Sequence, residues 1–189
     1  CMPGVLIDRF GDTAVVQPNA AWADVLIETL VAALVAVTGV KCVLKSASGR
    51  ARSLEGLDDI SGVLHGDAPS APVPVPMNGA TYMADLVGGQ KTGLFFDQRP
   101  NHAFTATLCK DARVLDMFAH VGGFGLAALA VGAKSVLAVD GSEPALALAE
   151  EGAALSGVSE RFETRKGDAF DVLTKLGEEG AQFDVVVCD

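Results

Sequence analysis

The spacing of apolar and polar positions changes near residue 110, and the two patterns predict two architectures. In the first part, Val5–Phe10 and Thr13–Gln17 are short β-rich runs split by Gly11-Asp12, a strong hairpin signal. Asp24 to Val37 reads as an apolar helix ended by Thr38-Gly39, and Cys42–Lys45 as a further strand. Ser46–Gly62 is polar and contains glycines, which predicts a loop. Ala68 to Pro76 reads A-P-S-A-P-V-P-V-P. Alternating prolines hold the backbone extended but remove ladder donors, so this segment is a connector or an edge strand. Asn78-Gly79 then marks a turn before a strand over Thr81–Val87.

From Asp111 onward, strands and helices alternate. Arg113–Asp116, Ser135–Val139, Phe162–Lys166 and Phe183–Cys188 are apolar or β-rich strands. Between them Phe124–Ala130, a segment from Pro144 to about Ser156, and Ala169–Leu176 read as helices, with Pro144 at a helix start where its missing N–H costs nothing. Such alternation predicts an α/β fold with four parallel strands in the order 3-2-1-4. The expected organisation is a small α+β domain over residues 1–75, a linker hairpin and entry helix over 76–110, and the first four strands of a Rossmann-like sheet over 111–189.

Composition narrows the classes. Half of the 189 residues are hydrophobic and 20% are charged, as in a folded globular chain. The longest apolar stretch, Val25 to Val37, is 13 residues and contains Glu28. A bilayer span needs roughly 20, so no membrane partner is expected. No secretion signal opens the chain. Cys1, Cys42, Cys109 and Cys188 show no metal-ligand spacing, so no metal is expected, and a cytoplasmic location with reduced thiols follows. Because the first residue is Cys1, the gene product is expected to begin earlier. The net charge is −10; residues 1–110 carry 8 Lys and Arg against 10 Asp and Glu, residues 111–189 carry 6 against 14. Nucleic-acid binders usually show a basic face, and this chain shows none globally, so contact with RNA needs a basic segment from elsewhere.

The acids nonetheless sit where chemistry is expected. Ligands of doubly wound sheets bind beyond the carboxyl ends of the strands, and there the chain places Asp116, Asp140, Asp168 and Asp189. Strand ends are often polar and Asp is a good helix N-cap, which accounts for any one of them. Four together repel, and predict cationic or hydrogen-bond-donating groups among them. The loop after the first strand reads Asp116-Met117-Phe118-Ala119-His120-Val121-Gly122-Gly123-Phe124-Gly125. Its glycines allow close backbone approach, and the following helix offers N–H groups to an anionic group. A dinucleotide fold would place glycine where Asp116 stands. An acid there suits a ligand bearing an amino group, and Asp140, 24 residues on, suits ribose hydroxyls. Amino group, carboxylate and ribose together describe S-adenosylmethionine. A P-loop is excluded because Gln90 precedes Lys91.

V-L-D-M-F-A-H-V-G-G-F-G (Val114–Gly125), A-V-D-G-S-E-P-A-L (Ala138–Leu146), K-G-D-A-F (Lys166–Phe170) and F-D-V-V-V-C-D (Phe183–Asp189) resemble motifs I to IV of class I S-adenosylmethionine-dependent methyltransferases. Upstream, G-G-Q-K-T-G-L-F-F-D-Q-R-P-N-H (Gly88–His102) and P-G-V-L-I-D-R-F-G-D (Pro3–Asp12) resemble the RlmI type of large-subunit ribosomal RNA cytosine-C5 methyltransferases. The resemblance implies a cofactor site. Asp116, Phe118, Gly122, Gly123 and Phe124 would hold the methionine end, Asp140 with Gly141 and Ser142 the ribose, and Asp168 with Ala169 and Phe170 the adenine. Asp189 would open motif IV, and Gln98 and Arg99 would close the site, Arg99 facing the methionine carboxylate. Ribosomal RNA is the implied substrate, and a second copy of the chain a candidate partner. The resemblance also implies a preceding RNA-binding PUA domain, a continuation of motif IV, and a nucleophilic cysteine beyond residue 189, since C5 methylation needs a thiolate at C6.

The chain departs from the family pattern at Gly152 and Ser156, where asparagines are usual, at His120, where Tyr or Cys is common, and at Met77, where glutamate is common. Cys188, after three valines, reads as a buried strand residue, Cys42 and Cys109 as core residues, and His120 as a loop histidine. His65 and His102 carry no signal. Two other readings stay open: methylation of another base atom, such as a guanine ring nitrogen, and a non-catalytic RNA- or cofactor-binding module. A nicotinamide dehydrogenase ranks last.

Overall fold

The structure is a computed structural model that describes residues 2–48, 50–88 and 93–189. Gly89, Gln90, Lys91 and Thr92 of the Gly88–His102 segment therefore lie outside the described residues. Contacts divide the chain into one unit of residues 1–73 with 85–95 and another of residues 74–84 with 96–189.

In the first unit, β1 (Val5–Phe10) and β2 (Thr13–Pro18) pair antiparallel across a turn with Gly11 at φ 60°. β2 runs parallel to β3 (Cys42–Lys45), and β3 antiparallel to β4 (Gly62–His65), giving the sheet order β1-β2-β3-β4. Ala14, Val16, Val31, Val40 and Val43 form its core. The helix expected over Asp24 to Val37 is two helices, α1 (Ala21–Val25) and α2 (Ile27–Thr38). Leu26, at φ −97° and ψ 15°, breaks the regular backbone between them. Gly39 ends α2 in the left-handed region at φ 68°, the usual service of a glycine there. Ser46–Gly62 is not all loop: it contains α3 (Arg50–Leu54), whose Arg52 is only 1% exposed. Five residues with two arginines carry no apolar period, so the element is fixed by ion pairing rather than by an apolar face.

The second unit opens with β5 (Val73–Met77) and β6 (Ala80–Ala84), paired across Asn78 and Gly79 at φ 51° and 79°. Positive φ at both central residues is what a type I′ hairpin turn demands. The strand thus ends at Ala84 and does not reach Val87. After a 3-10 turn at Phe96–Gln98 comes α4 (Arg99–Ala106). The alternating region follows: β7 (Arg113–Met117), α5 (Gly123–Ala130), β8 (Ser135–Asp140), α6 (Glu143–Leu155), β9 (Phe162–Lys166), α7 (Ala169–Glu178) and β10 (Val185–Cys188). All pairings are parallel, in the order β10-β7-β8-β9, as the alternation predicts.

Alternation along β7 sends successive side chains to opposite faces. Leu115 and Met117, with Leu137 and Val139 of β8, pack against Ala169, Val172 and Leu176 of α7. Asp116 points the other way, beneath α5. The two departures in α6 are packing positions. Ser156 Oγ accepts the Thr81 N–H at 2.8 Å, and a Cβ on Gly152 would lie 2.8 Å from the Thr81 carbonyl oxygen. Small residues here let α6 close onto β6. Cys42 and Cys109 are buried, but Cys188, read from sequence as buried, is exposed: β10 is the outermost of the four strands described in this sheet. No helix among the described residues is long and apolar enough to cross a membrane.

Candidate functional site

The site is built by the turns after β7, β8 and β9. The β7 turn is forced into an unusual course: Phe118 (φ 58°), His120 (φ 49°) and Gly122 (φ 79°) all lie in the left-handed region. Left-handed backbone at non-glycine residues costs about 1–3 kcal/mol each and persists where the surroundings over-determine it. Two surrounding bonds do so here, Ala119 N–H to the Val139 carbonyl at 3.0 Å and His120 N–H to Asp140 Oδ2 at 2.8 Å. Gly122 then serves as the N-cap of α5.

Asp116 is fully buried under that turn. Its Oδ2 accepts the Gly125 N–H at 2.8 Å, while its Oδ1 has no partner among the described residues. Burial, with smaller contributions from Asp140 and Asp189, pushes its carboxyl pKa up to about 7, against the pull of the Gly125 bond. A carboxylate held dry with one oxygen unsatisfied is a costly arrangement for folding alone. It suits a ligand that brings a cation or a donor.

Asp140 is better satisfied. Besides His120 N–H, it accepts Ser142 N–H on Oδ1 at 2.8 Å. Ser142 itself caps α6 by accepting the Ala145 N–H, and Gly141 between them is exposed. The Gly167 N–H bonds the Asp140 carbonyl at 3.1 Å, tying the β9 turn to the β8 turn. Asp168 caps α7, its Oδ1 accepting Phe170 N–H at 2.9 Å and Asp171 N–H at 3.3 Å. Phe170 is exposed and Ala169 is buried behind it. The donors expected among the four acids are thus mostly backbone amides.

The remaining candidates divide. Phe118 is half exposed and Asp189 is exposed at the end of β10. Gln98 Oε1 accepts from Asn101 Nδ2 at 2.7 Å, and the Arg99 carbonyl accepts from Asn78 Nδ2 at 3.0 Å. Among the described residues these bonds stay local to α4 and the Asn78 turn; the link to the glycine turn is made by His102, one turn further along α4. His102 carried no sequence signal, yet it is buried, with its ring edge-on to Phe124 at 4.5 Å. Its partner is 22 residues away in sequence, so only the tertiary fold reveals the contact.

Residues 96–189 match the family described as Conserved hypothetical protein 95. Along its full length the chain is 38% identical to the ribosomal RNA large subunit methyltransferase I of Vibrio cholerae, of which it spans 48%. Its backbone matches 98% of the chain to a Streptococcus mutans protein described as a candidate SAM-dependent methyltransferase, covering 48% of that protein with a TM-score of 0.84 and 22% identity. It also matches the tRNA m1G37 methyltransferase of Methanocaldococcus jannaschii over 87% of the chain and 46% of that protein, with a TM-score of 0.67 and 17% identity. The fold is therefore that of the Rossmann-like S-adenosylmethionine-dependent methyltransferases. Within that class the chain is similar along its full length to the ribosomal RNA large subunit methyltransferase I proteins, and it spans about half the length of the curated relatives it matches.

Proposed function

We propose that this chain is the cofactor-binding part of an S-adenosylmethionine-dependent RNA methyltransferase acting on cytosine C5 of large-subunit ribosomal RNA. One observation carries the cofactor: the buried Asp116, its Oδ1 unpartnered, beside a glycine turn at a helix N-terminus. The ammonium of the cofactor's amino-acid end fits the acid, and its carboxylate fits the α5 amides and the Arg99 cation. Asp140 has lone pairs left for ribose hydroxyls after accepting its two amides. Asp168 and Phe170 bound the place for adenine. When bound, the cofactor supplies an electrophilic methyl group; the chain's residues bind, orient and exclude water. A ribosomal substrate goes with action in the cytoplasm.

The similarity to the ribosomal RNA large subunit methyltransferase I proteins supports the substrate. Likeness to a tRNA m1G37 methyltransferase supports the second reading, a guanine ring nitrogen, because one cofactor fold serves both atoms. The whole gene product, labelled cofactor and unmodified large-subunit RNA separate them. Labelled 5-methylcytidine in the digested RNA is expected, and labelled methylguanosine would move the target. Binding of S-adenosylhomocysteine by calorimetry tests the cofactor, and its absence would overturn the proposal.

A further inference from the structure

α4 presents Arg99, His102 and Ala106 on one face, at spacings of three and four residues. His102 and Ala106 are buried in that face, at 7% and 4% exposure. The imidazole lies against Gly123 so closely that a Cβ on that glycine would stand 2.7 Å from both Cε1 and Nε2. On its far side Gly123 is held again, its carbonyl accepting the Tyr82 hydroxyl at 3.2 Å. The start of α4 has its own anchor, Asn78 Nδ2 on the Arg99 carbonyl. His102 Nδ1 is buried without a hydrogen-bond partner among the described residues, a cost that leucine or phenylalanine would not carry.

Resting on the cofactor reading above, we propose that His102 is a positioning residue that seats the Arg99 end of α4 against the Gly122-Gly123 turn. Arg99 and the first amides of α5 are thereby held ready for one carboxylate, that of the ligand's amino-acid end. The ring acts by shape and touches neither cofactor nor substrate. Burial holds its pKa below the usual histidine value, against the opposing pull of Asp189 and Asp97, so the ring that packs on Gly123 is neutral at pH 7.

The test compares two ligands of the whole gene product. S-adenosylhomocysteine carries the amino-acid end; 5′-methylthioadenosine shares the adenosine and sulfur but lacks it. His102→Ala should weaken S-adenosylhomocysteine about tenfold or more, the scale of one charge-assisted hydrogen bond, and leave methylthioadenosine within about twofold. Arg99→Gln should show the same selectivity, and the double variant should be little weaker than either single one. His102→Phe, which keeps a ring on Gly123, should recover most of the affinity. If His102→Ala unfolds the protein, Gly123→Ala probes the same contact from the other side and should give the same selective loss. Equal weakening of both ligands, or of neither, would overturn the proposal. A wild-type protein that binds neither ligand would overturn the cofactor reading and this proposal with it.

Discussion

Arg52 in the first unit and Asp116 in the second are buried to nearly the same degree, at 1% and 0% exposure. Their surroundings are opposite. Arg52 Nε donates to the Asp58 carbonyl at 2.8 Å, Nη1 to Asp24 Oδ1 at 3.0 Å and to the Pro18 carbonyl, and Nη2 to Asp58 Oδ1 at 3.2 Å. Lys45 joins Asp24 at 2.9 Å. Asp116 has one amide and an oxygen left over. A buried charge whose partners all come from the chain holds the chain together. One whose partners are half missing is shaped for something the chain does not contain.

The largest effect expected from that contrast is on stability. Arg52→Ala leaves Asp24 to Lys45 alone, takes the donor from the Pro18 and Asp58 carbonyls and empties a buried site, which should cost about 3 kcal/mol in denaturant melting. Asp116→Asn keeps an acceptor for Gly125 and removes a dry charge, so the unliganded protein should lose less than about 1 kcal/mol or gain stability. A large loss for Asp116→Asn would end the distinction drawn between the two sites.

Acid should separate them next. The Asp24 pKa is held below its ordinary value, first by the hydrogen bond from Lys45 and then by Arg52. A depressed folded pKa contributes stability above the unfolded value, and that stability is lost as pH falls below about 4. Asp116 has the opposite sign, with a folded pKa of about 7. From this group the unliganded protein loses stability as pH rises from about 4 to about 7. A cationic ligand needs the ionised acid, so affinity for S-adenosylhomocysteine should climb with pH and level off above about 7. Calorimetry at pH 6, 7 and 8 reads this directly, and Asp116→Asn should flatten the curve while weakening binding about ten- to a hundredfold.

Asp140→Ala sharpens the picture within the site. Loss of its bonds to ribose should weaken the cofactor by roughly 1.5–3 kcal/mol, or about ten- to a hundredfold. The same change also frees the His120 and Ser142 amides that fix the glycine turn. Asp140→Asn, which keeps one acceptor, should fall between the two. Unchanged affinity in a folded Asp140→Ala protein would remove Asp140 from the site.

Much of the second unit was legible in sequence because β8 and β10 are short apolar runs closed by Asp140 and Asp189, and α6 and α7 begin at the capping residues Ser142 and Asp168. Parallel pairing follows from that spacing. What stayed hidden depends on partners distant in sequence. Arg52 reads as a solvated charge until Asp24, 28 residues away, is beside it. His102 reads as neutral filler until Gly123 lies under its ring. Leu26 belongs to an unbroken apolar run, so nothing in the period announces the break between α1 and α2. Cys188 is exposed on β10, which pairs only with β7 among the described residues, and local valines do not encode the number of a strand's neighbours. Among the acids, residue type was legible but partner was not, since the donors are backbone amides.

The smallest expected effect falls on Asp168, where two roles predict different results. As an N-cap it holds two amides of α7 through Oδ1, and Asp168→Ala should cost about 1 kcal/mol of stability. Asparagine caps nearly as well, so Asp168→Asn should melt like the wild type. Adenine would reach this residue through its exocyclic amino group, a donor, and either carboxylate or amide oxygen can accept it. If both roles are real, Asp168→Asn keeps affinity and stability, and Asp168→Ala loses some of each. If Asp168 only caps the helix, Asp168→Ala melts earlier but binds S-adenosylhomocysteine within about twofold of wild type under conditions where α7 stays folded. Thermal melts paired with calorimetry at 15 °C, well below either transition, distinguish the two outcomes. The second would leave Phe170 and the backbone of the β9 turn as the adenine contacts.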